Sequence, residues 1–153
     1  MITPLEKYRQ DLEQPGFAYD PAQEMAVEKL QLLYERLLES RREAVRRRGV
    51  RDLAGRIGFK PRPKAREPVK GLYFWGGVGR GKTYLMDTFY ECLPLDNKMR
   101  VHFHRFMQRV HRELTLLKGQ KNPLDRVADT LAGEASIICF DEFFVTDIGD
   151  AMI

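Results

Sequence analysis

The stretch GLYFWGGVGRGKT, residues 71–83, limits what the chain can fold into more than any other part of it. Gly76, Gly77, Gly79 and Gly81 stand where an apolar run gives way to a helical pattern, and glycine reaches backbone conformations that other residues avoid. A backbone turned in this way can aim several N–H groups at one anion. The spacing from Gly76 to Gly81, Lys82 and Thr83 fits G-x-x-x-x-G-K-[ST], a phosphate-binding loop. The flanks agree with it. Leu72, Tyr73, Phe74 and Trp75 predict a buried strand. Leu85, Met86, Phe89 and Leu93 recur at helical spacing before Pro94 closes the segment. Such a helix would offer its free N–H groups and positive dipole end to phosphate. The nucleotide-binding residues predicted here are Gly76, Gly77, Val78, Gly79, Arg80, Gly81, Lys82, Thr83 and Tyr84.

A second stretch, SIICFDEFF at residues 136–144, complements the loop. Ile137, Ile138, Cys139 and Phe140 predict a buried strand, and two carboxylates follow it. Ligands of open α/β sheets bind at the carboxyl ends of strands, the edge where a phosphate loop also lies. The chemistry explains each residue type. Lys82 would neutralise charge between the β- and γ-phosphates, and Thr83 would hold Mg²⁺ through its hydroxyl with support from Asp141. Glu142 would orient or deprotonate the attacking water. Carboxylates are costly to bury without a cation, which favours a metal site over a structural ion pair. Lys82 and Glu142 are thus the candidate catalytic residues; Thr83 and Asp141 are the candidate metal ligands.

The rest of the chain reads as an α/β protein. A short helix is expected at residues 4–13. A longer one starts at Asp20-Pro21, with Gln23 at the capping-box position, carries Ala26, Leu30, Leu33 and Leu37 as its stripe, and stops at Gly49. Residues 50–70 mix Pro, Gly and basic side chains and read as an extended connector. Strands follow at 98–104 and 136–140. Between them lie a helix with Phe106, Val110, Leu114 and Leu117 on one face, and another opened by Asn122-Pro123. The latter turns Leu124, Val127, Ala128 and Leu131 inward and ends at Gly133. Thr146 or Asp147 caps a final helix. The expected fold is a P-loop NTPase parallel sheet flanked by helices. Its organisation is an N-terminal helical segment (1–49), a basic connector (50–70) and a nucleotide-binding core (71–153).

Composition narrows the function classes. With 153 residues, 43% of them hydrophobic, the chain suits one domain with a real core. No run approaches the roughly 18 apolar residues of a membrane span, and the N-terminus lacks a signal-like apolar segment, so a cytoplasmic protein is expected. Cys92 and Cys139 read as small buried hydrophobes rather than a disulfide or metal pair. Residues 36–70 hold 13 Lys/Arg against 4 Asp/Glu, within a chain of net charge +4. That block could draw an acidic partner, but aromatic residues for base stacking are scarce, and nucleic acid is not the favoured partner. His102 and His104 would share one strand face without evident further metal ligands. Gln23 offers both a donor and an acceptor to an adenine edge. Phe143 and Phe144 read as core.

GLYFWGGVGRGKTYLMD, HFHRFMQRVHREL and CFDEFFVTDIGDAM together closely resemble the ZapE family of cell-division ATPases, bacterial counterparts of a group of mitochondrial AAA+-type ATPases. The resemblance covers nearly the whole chain and is weakest across the basic connector. It implies an AAA+-like fold, ATP and Mg²⁺ as cofactors, ATP hydrolysis, a homo-oligomer of the full-length protein, and action on the FtsZ ring at the division septum. Family members continue well past the Asp-Glu strand, so an N-terminal fragment with impaired catalysis is expected. It would lack the fourth strand with its water-sensing Asn, the arginine finger and the lid. Competing readings are a small P-loop metabolite kinase, disfavoured by Glu142, and a non-enzymatic adaptor that docks through its basic segment. A GTPase is disfavoured by the lack of an N-K-x-D motif.

Overall fold

Thr3 opens the first helix of the computed structural model, which describes residues 2–56, 68–77, 79–145 and 148–153. Its hydroxyl accepts from the Glu6 N–H at 3.3 Å, and the Glu6 carboxylate accepts from the Thr3 N–H at 2.8 Å. This reciprocal box starts α1, Pro4–Leu12, where a short helix is expected from the sequence. Asp20 starts α2, Pro21–Arg56, by accepting from the Ala22 N–H at 2.8 Å. The third helix, α3, spans Lys82–Cys92.

The expected stop at Gly49 is not observed. Gly49 keeps a negative φ, and the helix runs on to Arg56. One glycine costs a helix about 1 kcal/mol, and the Arg, Leu and Ala residues that follow are good helix formers. The start of the predicted extended connector is therefore helical; residues 57–67 lie outside the described residues.

Contacts divide the chain into two units, 1–93 and 94–153. In the first, α1, α2 and α3 pack against one another. Tyr8, Val27, Leu30, Leu33, Leu85 and Phe89 form their buried core, each contributing about 1.5–3 kcal/mol relative to exposure. Leu30 and Leu33 belong to the predicted stripe; Val27 is buried where Ala26 was expected.

The strand predicted at residues 72–75 does not form. The described residues hold one sheet of two strands, and this segment is not in it. Leu72, Tyr73 and Trp75 are exposed, Trp75 to 84%. A strand is stabilised by the ladder and side chains of its neighbours, and the described residues of the first unit hold no strand to supply them.

The second unit alternates strand and helix: β1 (Lys98–His102), α4 (Phe103–Leu116), α5 (Pro123–Glu134), β2 (Ile137–Asp141) and α6 (Ile148–Ala151). β1 and β2 are parallel, with Arg100 opposite Cys139 and His102 opposite Asp141. The unit is thus a partial α/β arrangement with a helical crossover. Val110, Val127 and Leu131 are buried together, with Phe106, Leu114 and Leu117 packed around them. Arg109 ties α4 to α5 through Glu134, at 2.5 and 2.6 Å, and holds Glu113 within its own helix.

Several sequence expectations are corrected here. His104 is not on the strand, because α4 has already begun at Phe103; its ring meets the Gln108 amide one turn on. Leu124 and Ala128 are exposed rather than inward, and α5 passes Gly133 to end at Glu134. Phe144 is 75% exposed, whereas Phe143 packs its ring 4.3 Å from that of Phe103. Cys92 and Cys139 are buried thiols, as expected. The predicted caps Thr146 and Asp147 lie outside the described residues. Among the described residues no helix is long and apolar enough to cross a membrane.

Candidate nucleotide-binding site

The loop residues Gly76, Gly79 and Gly81 all have positive φ, at 142°, 80° and 73°. Gly81 is the position where glycine is most needed. It caps α3 in the left-handed region, and a Cβ there would come within 2.6 Å of Gln23 Nε2. No side chain caps the first turn of α3, which leaves its positive end open to an anion.

Lys82 folds back over this loop. Its ammonium donates to the Gly76 carbonyl at 2.8 Å and to the Gly77 carbonyl at 2.7 Å. The charge therefore sits inside the turn, held by backbone dipoles that a phosphate could replace. Beside it lies a cavity of about 360 Å³, lined by Gln23, Ala26, Phe74, Trp75 and Lys82 among others. Thr83 is exposed at the helix start. Val78 lies outside the described residues.

The start of α2 is fastened to the same loop. Asp20, which caps α2 through Oδ1, takes the Arg80 guanidinium on Oδ2 at 3.2 Å. Gln23 does not close the expected capping box with it. Its amide N–H donates instead to the Arg80 carbonyl at 3.4 Å, and its Oε1 is buried with no hydrogen-bond partner among the described residues. An orphaned acceptor beside a cavity costs about 1–3 kcal/mol until a donor reaches it. The exocyclic amino group of adenine is such a donor, so the Gln23 amide fits the cofactor read from the sequence. Asp20 was read only as a cap, and nothing in the sequence spacing announces its second partner.

Tyr84 serves a different purpose from its loop neighbours. Its hydroxyl donates to Asp11 Oδ2 at 2.7 Å, its ring lies 5.1 Å from that of Phe17, and Asp11 also receives Lys7 at 2.6 Å. Burial, then the bond to Asp11, pushes the Tyr84 hydroxyl well above the ordinary tyrosine range. Burial alone would raise the Asp11 carboxyl too, but the bonds from Lys7 and Tyr84 outweigh it and hold it below the usual value. This node docks α1 onto the first turn of α3.

In the second unit, Asp141 ends β2 with its carboxylate only 17% exposed, and Arg100 Nε donates to Oδ2 at 2.9 Å. Glu142 follows at φ 51°, exposed, in a region that side chains rarely adopt. Backbone strain of this kind gathers at ligand and catalytic sites. Burial pushes the Cys139 thiol up to about 11, which keeps it a neutral packing group. Among the described residues no cluster of three His, Cys, Asp or Glu side chains could hold a metal unaided. One carboxylate, one hydroxyl and substrate phosphates are the oxygen donors Mg²⁺ usually takes, so Thr83 and Asp141 fit that ion as ligand types. Arg100 escaped the sequence reading; its one signal is that it lies two residues before the strand end of β1.

Comparison with known proteins decides the family. Residues 2–153 match the AFG1-like ATPase family. The chain belongs to it. The cell division protein ZapE of Escherichia coli K12 is 47% identical over 152 residues, covering 99% of this chain and 40% of that protein. An uncharacterized protein of Schizosaccharomyces pombe is 33% identical, covering 99% of this chain and 38% of its own length. Lactation elevated protein 1 homolog B of Danio rerio is 45% identical over 97 residues, or 56% of this chain and 19% of that protein. The chain thus spans about two-fifths of the length of its bacterial relative. No solved structure matches it significantly.

Proposed function

We propose that this AFG1-like chain carries the nucleotide-binding part of a Mg²⁺-dependent ATPase. The observation that supports it best is the Lys82 ammonium held inside a glycine turn, at the uncapped start of α3 and beside a cavity walled by Gln23 and two aromatic residues. Membership of an ATPase family gives the reading its prior.

In this reading the backbone N–H groups of Gly76, Gly77, Gly79, Arg80 and Gly81 would line the phosphates. Lys82 would leave its two carbonyls for phosphate oxygens, and the Thr83 hydroxyl and Asp141 are the groups that would hold Mg²⁺. Bound Mg²⁺ supplies charge neutralisation on the phosphates being separated. Glu142 takes the proton of the attacking water. Gln23 accepts from the adenine amino group, and the first helical turn, Tyr84 included, is kept in place by Asp11. The likeness to a cell division protein extends the proposal to the cell. There the full-length protein would be a cytoplasmic homo-oligomer, recruited to the septum to act on the FtsZ ring.

Phosphate release by the full-length protein tests the assignment. Lys82→Ala should lose both ATP binding and turnover. Glu142→Gln should keep ATP binding within about threefold and lose turnover by two orders of magnitude or more, the span of a general-base contribution. Undiminished turnover in Glu142→Gln would remove Glu142 from its role.

A further inference from the structure

Asp141 is partly buried, and a carboxylate drawn partly out of water gains from a positive partner. In this structure the partner is Arg100. Their strands are parallel with Arg100 opposite Cys139, so Arg100 lies one ladder step behind Asp141 on the same face, and its guanidinium reaches forward to Oδ2 at 2.9 Å. The arginine side chain is about twice as exposed as that of Asp141, at 35% against 17%. A long side chain at such a position can turn out to water without leaving its own charge buried.

We propose that Arg100 is an exchangeable counter-ion that occupies Asp141 in the absence of a divalent cation and must yield when the cation binds. The proposal rests on the reading of Asp141 as a metal ligand. It adds that the chain sets its own threshold for metal, because ion and guanidinium compete for one carboxylate. The pair thereby keeps the partly buried Asp141 charge partnered, and the affinity for the ion is lowered in return.

Even at the dielectric of water, a unit charge about 5 Å from a divalent ion changes its binding by about tenfold. Mn²⁺ binding, followed by the loss of the free-ion paramagnetic resonance signal with ADP present, provides the test. Arg100→Gln should bind Mn²⁺ about tenfold more tightly than the parent chain, and Arg100→Lys, which keeps the charge, should stay within about twofold. Equal or weaker binding in Arg100→Gln overturns the proposal. Asp141→Asn separates the two levels of the reading. If it binds Mn²⁺ as well as the parent, the metal-ligand assignment fails and the proposal with it; if it loses binding while Arg100→Gln does not tighten, only the exchange fails. Should Arg100→Gln not fold, the side-chain ¹⁵Nε signal of Arg100 in the parent chain decides. It should shift on adding MgCl₂ with ADP, and an unchanged signal overturns the exchange.

Discussion

At the scale of single residues, the site stores strain where its chemistry is expected. Glu142 occupies the left-handed region that favours glycine, at a cost of about 1 kcal/mol or more. Glu142→Gly should therefore raise stability by up to about 1 kcal/mol, read from urea unfolding, while abolishing ATP turnover. A fall in stability would show that the carboxylate, not the backbone, governs that position. Gly81 presents the converse case. Gly81→Ala places a methyl where φ is 73° and the Gln23 amide is 2.6 Å away. It should lower stability by about 1–2 kcal/mol. A second change, Gln23→Ala, should recover only the contact part of that loss, as read by urea unfolding of the double variant.

At the scale of elements, the docking of α1 on α3 turns on the Asp11 carboxylate. Its folded value lies below the unfolded one, so its contribution is complete above about pH 4 and is lost as pH falls through the lower folded value. Asp11→Asn should lower stability at pH 7 by about 2 kcal/mol and flatten the acid limb of the stability profile, measured as urea midpoints between pH 2 and pH 7. An unchanged acid limb would assign the loss to other carboxylates. Because Tyr84 follows Thr83 directly, the same variant should also weaken ATP binding.

At the scale of the whole molecule, legibility in the sequence followed how local each determinant is. The short helix expected at residues 4–13 was found, although the Thr3–Glu6 box that opens it was not read from the sequence. The glycine loop was readable because its conformational demand is met by residue type alone. Gly49 was misread as a stop since a helix tolerates one glycine when its flanks favour continuation. Residues 72–75 were misread as a strand because an apolar run encodes burial, whereas a ladder needs neighbours that the described residues of the first unit do not supply. His104 was misplaced by two residues at the strand-to-helix boundary, where both periods fit. The tie of Arg100 to Asp141 is a relation between two strands, and no single stretch spells it.

The central proposal is that the glycine turn around Lys82 holds the phosphates of ATP. Paramagnetic broadening by Mn²⁺ bound with a non-hydrolysable ATP analogue measures this most directly, in amide spectra of the labelled protein. The amides of Gly81, Lys82 and Thr83 should vanish as the Mn²⁺ complex is added to the parent chain and stay sharp in Lys82→Ala. Sharp signals from all three in the parent chain at saturating Mn²⁺ and nucleotide would contradict the proposal.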